Sequence, residues 1–416
     1  MKRLIGCMAV LCLLALTVGC GGTAKTSTLA YVSNSTGTGF TVFSVNNNGT
    51  LTTASISPQN TPVAPKLLQI SANGKWAYFL DSSGVSIYGF TRSGNGQFQD
   101  PITGSPFPLT SAGSSLVIAP NNKFLYAALP ASNEIAIFLI EQATGQITEL
   151  GSNKPVGAAI TQLAIAPDGL ALYGLAPTQQ EVVGFILDPT TGAATKSNSP
   201  GSIGPNAPDH GLILSVDGNF IYVPDKTQTD TFTTNGTVNG TGVSFTGQSP
   251  TIYGLSTKTN GVEGALQPIP GVVFHENADL SPLAQQPPSA AQYPTVPVAG
   301  ATSNDSRWLF IANQSSHNIS VFDIHTLGGS APIEVQGAVT SVNGVPSSTA
   351  SPFDCGAGCS TPTFIAVSKA SNAVYVLDTN AAKIFQFALD QNTGRLRALS
   401  PASVGAGATP VWITLK

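Results

Sequence analysis

Short apolar runs alternate with polar turns along most of this 416-residue chain, and one phrase of about fifteen residues recurs. It reads LLQISANGKWAYFL at 67–80, SLVIAPNNKFLYAAL at 115–129 and QLAIAPDGLALYGLA at 162–176. It returns as GLILSVDGNFIYVPD at 211–225, AGATSNDSRWLFIAN at 299–313 and FIAVSKASNAVYVLD at 364–378. Each phrase is two runs rich in Ile, Val, Leu and Tyr, joined by a turn such as Pro167-Asp168-Gly169 or Val216-Asp217-Gly218. That pattern predicts a β-hairpin. A second apolar pair follows each hairpin, as in EIAIFLIEQATGQITEL at 134–150, with turns marked by Asp188–Gly192 and Asp390–Gly394. Each unit is therefore predicted to be a four-stranded antiparallel sheet.

An aromatic residue keeps its place in every unit: Tyr31, Tyr78, Tyr126, Tyr173, Tyr222, Phe310 and Tyr375. The step is 47 residues from Tyr31 to Tyr78, 48 to Tyr126, 47 to Tyr173 and 49 to Tyr222. Repeats of that length with four strands indicate a β-propeller, in which each small sheet buries its faces against its neighbours. The longer steps, 88 to Phe310 and 65 to Tyr375, are read as insertions rather than an eighth unit. The second half of a phrase, LAYVSN, stands at 29–34, and a lone first half, VWITL, at 411–415. The prediction is an all-β, seven-bladed propeller over 28–416, its first blade completed by the C-terminal strand. The repeated aromatics and Trp76 are assigned to blade packing.

The N-terminal segment changes the expected compartment. Lys2 and Arg3 precede an apolar stretch from Leu4 to Val18, then Gly19-Cys20. This is the form of a secretory signal, and it resembles a bacterial lipoprotein signal. The expectation is a signal over 1–19, lipidation at Cys20, a linker to residue 27, and a protein anchored in the cell envelope, facing the periplasm or on the outer membrane. Cys7 and Cys12 leave with the signal, so Cys355 and Cys359 remain as a pair, expected to be disulfide-bonded in an oxidising compartment. Only 9% of residues are charged, against about 25% in a typical domain. The net charge of −4 and the absence of a basic run argue against nucleic acid. No His/Cys cluster suggests a metal, and no cofactor is expected: His275-Glu276 has no second His at helical spacing, and His317 and His325 suggest nothing specific. A monomer is expected.

Strand direction assigns the faces. With strands A to D antiparallel, B–C and D–A connections share one rim, and A–B and C–D turns share the other. Residues 226–250, 271–297 and 338–362 are read as insertions, and all three fall on the B–C/D–A rim. Long loops in compact domains are usually functional or disordered, so this rim is the expected binding face. The chain starts its first B strand at the opposite rim, so the anchor is expected there.

The order of repeats and the phrase HGLILSVDGNFIYVPD at 210–225 resemble the lactonase-family seven-bladed propellers, which include 6-phosphogluconolactonase and the carboxy-muconate lactonizing enzymes. The resemblance implies a site on the decorated rim. The family His before one A strand corresponds to His210, five residues before Ser215. The family Pro-Arg corresponds to Pro297-Val298, the family Asn-Glu to Asn313-Gln314, and the Arg after the last blade's Asp to Thr379, which follows Asp378. Three of four charged groups implied by the resemblance are thus replaced. Opening a lactone needs a base and an oxyanion donor; Gln is no base, and neither Val nor Thr replaces a guanidinium. Lys66 is placed on the same rim, and Asp81, Asp225 and Asp378 all follow B strands. These residues, with Val298, Gln314 and Thr379, are the binding candidates, and His210 the one catalytic candidate.

Three functions follow as expectations: a scaffold binding a carbohydrate, small metabolite or envelope protein through a degenerate lactonase site; a lactone hydrolase using His210; and a structural or assembly lipoprotein. The membrane would be met through the lipid.

Overall fold

The computed structural model describes residues 28–151, 154–203, 211–238, 241–259, 261–275, 296–324, 333–334, 341–342, 345–346 and 353–416. Seven antiparallel sheets of four strands form a ring. Blade 1 joins strands B (Leu29–Asn34), C (Gly39–Val45) and D (from Leu51) to strand A at the other end of the chain, Pro410–Leu415. Tyr31 pairs with Thr414 and Val32 with Ile413, so the terminal strand completes the first sheet, as the split phrase predicts. Blades 2 to 7 begin their A strands at Pro65, Ser115, Gln162, Ile213, Pro297 and Pro362. The long steps hold no eighth sheet of this kind among the described residues.

The core is distributed. Among the described residues, buried apolar side chains fall into seven clusters, and each joins two adjacent blades. Strand B is buried along its length in blades 1, 2, 3, 4, 6 and 7. Its side chains alternate between the two neighbouring interfaces: Ala30 and Val32 pack toward blade 7, and Tyr31 toward blade 2. A sheet buried on both faces reads as a nearly continuous apolar run, which is why the repeated phrase is so conspicuous.

The constant tyrosine has a second task. Tyr31 Oη donates to the Gly96 carbonyl at 2.6 Å, and Tyr126 Oη to Gly192 at 3.1 Å. Tyr78 donates likewise to Gly145, and Tyr375 to Gly49 at 2.7 Å. Each acceptor lies in the C–D turn of the next blade. The glycine lets that turn lie flat on the preceding B strand: Gly145 has φ +75°, and a Cβ there would stand 2.4 Å from the Trp76 ring.

The A–B hairpins share a hydroxyl clamp. Ser71, Ser215, Ser303 and Ser368 each accept from the first N–H of strand B and donate to the Asn or Asp of their turn. At Ser71, Ser215 and Ser303 this accounts for the recurring Ser-x-Asn/Asp turns; Ser368 reaches Asn372, four residues on.

One expectation fails here. Residues 226–250 are not a loop: strands B and C of blade 5 run over Phe220–Val238 and Thr241–Thr259 and stay paired to the tip, Val238 with Thr241. The physical reason is composition. Alternating Thr with Phe and Val has high strand propensity although its mean polarity suggests a loop. The register slips between Asp225 and Thr229, where the ribbon leaves the blade. The other two insertions are shorter than expected. Residues 271–275 extend strand D of blade 5, and Phe353-Asp354 pairs with strand C of blade 6.

Candidate functional site

The repeat turns the B–C/D–A rim, here the loop rim, into rings of equivalent positions. The residue ending each strand A closes its hairpin through its N–H, at Ser71, Ala119, Ala166, Ser215, Ser303, Ser368 and Lys416. Five positions earlier stand Lys66, Ser114, Thr161, Val298, Thr363 and Val411. By the same spacing His210 belongs to this ring, but it lies outside the described residues, as does Cys20. In blades 1, 2, 6 and 7 this residue follows a proline, and the A–B register slips at that point. Proline offers no N–H to the ladder, and a bulge re-aims the side chain it carries. Lys66 and Val298 are such bulge residues and are half-buried.

A second ring closes strand B: Asn34, Asp81, Leu129, Ala176, Asp225, Asn313 and Asp378, all buried. Its carboxylates are engaged locally. Asp81 accepts from the Ser86 N–H at 2.9 Å and from the Ser83 hydroxyl. Asp378 accepts from the N–H groups of Ser360 at 2.5 Å, Thr361 at 2.8 Å and Ala381 at 2.8 Å. Burial pushes the Asp378 carboxyl up, but these donors and the Ser360 hydroxyl outweigh it and hold it below the usual range. Asp378 thereby ties the segment carrying the Cys355–Cys359 disulfide onto the rim. Asn313 Nδ2 donates to Asn318 and Ser320 at 2.9 and 2.8 Å. Blades 3 and 4 have no such side chain. There Pro130 and Pro177 start a 3-10 turn that closes on its own backbone, through Asn133 and Gln180 in the left-handed region.

The third ring, one residue further, contains Ser35, Ser82, Pro130, Pro177, Lys226, Gln314 and Thr379. Thr379 bridges blades: its hydroxyl donates to the Pro410 carbonyl at 2.7 Å and lies 2.8 Å from the Thr363 hydroxyl. Gln314 is half-buried, its N–H bonded to the Val296 carbonyl at 2.8 Å. Lys226 is exposed at the equivalent position of blade 5. The sequence reading missed it by assigning it to a loop, although it follows Tyr222 by four residues, as Gln314 follows Phe310.

The structure thus places Lys66, Asp81, Asp225, Val298, Gln314, Asp378 and Thr379 on one rim, on blades 2, 5, 6 and 7. It brings Thr379 to Thr363 but does not gather the three aspartates, and among the described residues no three His, Cys, Asp or Glu side chains could jointly hold a metal. An open recess of about 480 Å³ lies elsewhere, lined by Phe353, Asp390, Arg395 and Arg397 at the C–D hairpin of blade 7, and shares no residue with these rings.

Residues 42–207 match the family model described as Lactonase, 7-bladed beta-propeller. The match runs from strand C of blade 1 to the end of blade 4 and stops short of His210 and of blades 6 and 7, which carry the departures. No curated protein matches the chain. Among solved structures, a putative 6-phosphogluconolactonase from Bacteroides uniformis is 14% identical, with a TM-score of 0.64 over 94% of this chain and 100% of that one. The periplasmic gluconolactonase of Pseudomonas aeruginosa is 15% identical, with a TM-score of 0.63 over 93% and 98%. A putative 6-phosphogluconolactonase from Bacteroides fragilis is 17% identical, with a TM-score of 0.60 over 95% and 99%. Likeness at these identities is likeness of fold.

Proposed function

We propose that this propeller, lactonase-like over residues 42–207, is an envelope-anchored binding scaffold for a carbohydrate or small polar metabolite, not a lactone hydrolase. One observation carries the reading. The rim positions that the family resemblance marks as charged hold Val298, Gln314 and Thr379, and the neighbouring carboxylates of Asp81 and Asp378 are committed to their own turns. Water activation would fall to His210 alone, with no guanidinium to receive the developing oxyanion. Loss of one such donor costs about 10²–10³ in rate, and here two are replaced.

What remains on the rim suits recognition of neutral or weakly acidic polyols: the cations Lys66 and Lys226, the amide of Gln314, and a row of hydroxyls. The ribbon of blade 5 rises from the same rim. A lipid on Cys20 would hold the opposite rim toward the membrane and leave this face free.

The test is a panel of sugar and aliphatic lactones, assayed with the protein and with His210→Ala. No turnover, together with saturable sugar binding that is weakened by Lys226→Ala, is the expected result. Turnover that vanishes in His210→Ala would establish the hydrolase reading instead.

A further inference from the structure

The turn rim, made of A–B and C–D turns, separates charge although the chain carries little. On blades 7, 1, 2 and 3 it presents Lys369, Arg397, Lys416, Lys75, Arg92 and Lys123. Against these stand Asp100 and Glu141, while Asp390 faces Arg395. On blades 4 to 6 the same rim carries Asp168, Asp188, Asp217, Asp305 and Asp323, against the cations Lys258 and Arg307, the latter 3.8 Å from Asp323. The cations come from positions as far apart as 75 and 416, so no basic run marks them in the sequence.

Lys75, Lys123, Lys369 and Arg397 are exposed. Arg92 and Lys416 are half-buried between blades 1 and 2. The Arg92 guanidinium donates to Tyr31 Oη at 3.1 Å and to the Gly74 carbonyl at 3.2 Å, and Lys416 Nζ to the carbonyls of Ser71 and Ala72 at 2.7 and 2.8 Å. Burial, then the charges of Lys369 and Arg92, pushes the Lys416 ammonium down to about 8. Lys369 and Arg92 thus lie close enough to Lys416 to repel its charge, an arrangement that costs free energy in an isolated molecule and is relieved by an external anion.

The chain begins the ring at this arc. Leu29 exchanges backbone hydrogen bonds with Lys416, at 2.7 and 2.8 Å. Eight residues separate Cys20 from Leu29, so a lipid on Cys20 would tether the arc within about 28 Å of the bilayer. Anionic headgroups attract basic surface residues strongly only within about a Debye length, ~8 Å in physiological salt. A short tether and a basic arc at its root are therefore mutually supporting.

We propose that the basic arc on blades 7, 1, 2 and 3 is a docking surface for anionic phospholipid headgroups, which seats the propeller with its turn rim on the membrane and its loop rim outward. The inference shares the Cys20 anchor with the function proposed above but not its ligand site, and the two rims are tested separately.

The experiment is sedimentation of the mature chain, residues 20–416 without the apolar signal and with Cys20→Ser so that it carries no lipid, with vesicles of equal parts phosphatidylglycerol and phosphatidylcholine. Binding is expected to such vesicles and not to phosphatidylcholine alone, and to disappear in high salt. Each arc cation removed should lower partitioning about fivefold, so Lys75→Gln/Lys123→Gln/Lys369→Gln together should lower it about a hundredfold. Lys383→Gln, on the loop rim, should change nothing where Lys369→Gln alone weakens binding. Equal binding to zwitterionic vesicles, indifference to the triple substitution, or equal affinity for a duplex oligonucleotide would overturn the proposal.

Discussion

The Tyr375 hydroxyl donates to the Gly49 carbonyl at 2.7 Å, joining blade 7 to blade 1 across 326 residues of chain. Two further contacts reinforce the junction. Gln386 Oε1 accepts from the Leu51 N–H at 2.8 Å, and Asn372 Nδ2 donates to the Asn47 carbonyl at 2.9 Å. Together with the terminal strand they close the ring without a covalent link. Tyr375→Phe leaves the carbonyl of Gly49 without its buried donor and should cost about 1 kcal/mol. Gly49→Ala should cost more, because φ is +84° and the new Cβ would meet that of Ala373 at 2.5 Å. Urea unfolding midpoints measure both; an unchanged midpoint in Tyr375→Phe would show that the bond contributes nothing.

Alkaline pH should unfold the protein cooperatively. Burial pushes the hydroxyls of Tyr78, Tyr126, Tyr222 and Tyr375 up, and that of Tyr173 to about 12. The folded state holds these protons where the unfolded state releases them. The contribution is therefore complete below the ordinary Tyr value of 10.0 and is lost as pH rises through the folded values. Phenolate absorbance and the loss of far-ultraviolet sheet signal should rise together. Phenolate appearing well before unfolding would mean the ring of tyrosines is wet.

Asp378 reverses that sign. Its folded carboxyl lies below the ordinary 3.8, so its contribution is present above that value and lost as pH falls below it toward the folded one. Asp378→Ala strands the N–H groups of Ser360, Thr361 and Ala381, and should cost about 2 kcal/mol at neutral pH. The difference between variant and parent should shrink on acidification below that window. A difference that is constant down to pH 2 would contradict the assignment.

Replacement of residues 227–249 by a two-residue turn should change stability by less than about 1 kcal/mol, since the ribbon pairs chiefly with itself beyond Asp225 and loop length enters only logarithmically. Thermal melting gives the answer. A large loss would show that the ribbon supports a neighbouring blade.

The fold was legible because one physical constraint repeats. The B strands of blades 1, 2, 3, 4, 6 and 7 are buried along their length, and Tyr31, Tyr78 and Tyr126 reach Gly96, Gly145 and Gly192 in the next blade's turn at sequence separations of 65, 67 and 66. The ribbon of blade 5 was not legible, because its threonines read as polar spacing when they are β-branched strand formers. Asp81 and Asp378 look like free carboxylates in the sequence; only the turn geometry shows which N–H groups occupy them. Lys226 was hidden by the same misreading as the ribbon, and the basic arc because its members meet only when the ring closes.

Pro130 and Pro177 leave the position after strand B without a polar side chain on two adjacent blades, where the other five offer an amide, a hydroxyl or an ammonium. A guest on that face would consequently sit off-centre, gripped from one side and merely walled on the other. Pseudo-sevenfold geometry would then yield lopsided recognition, and mutations that tune selectivity should concentrate on the gripping side.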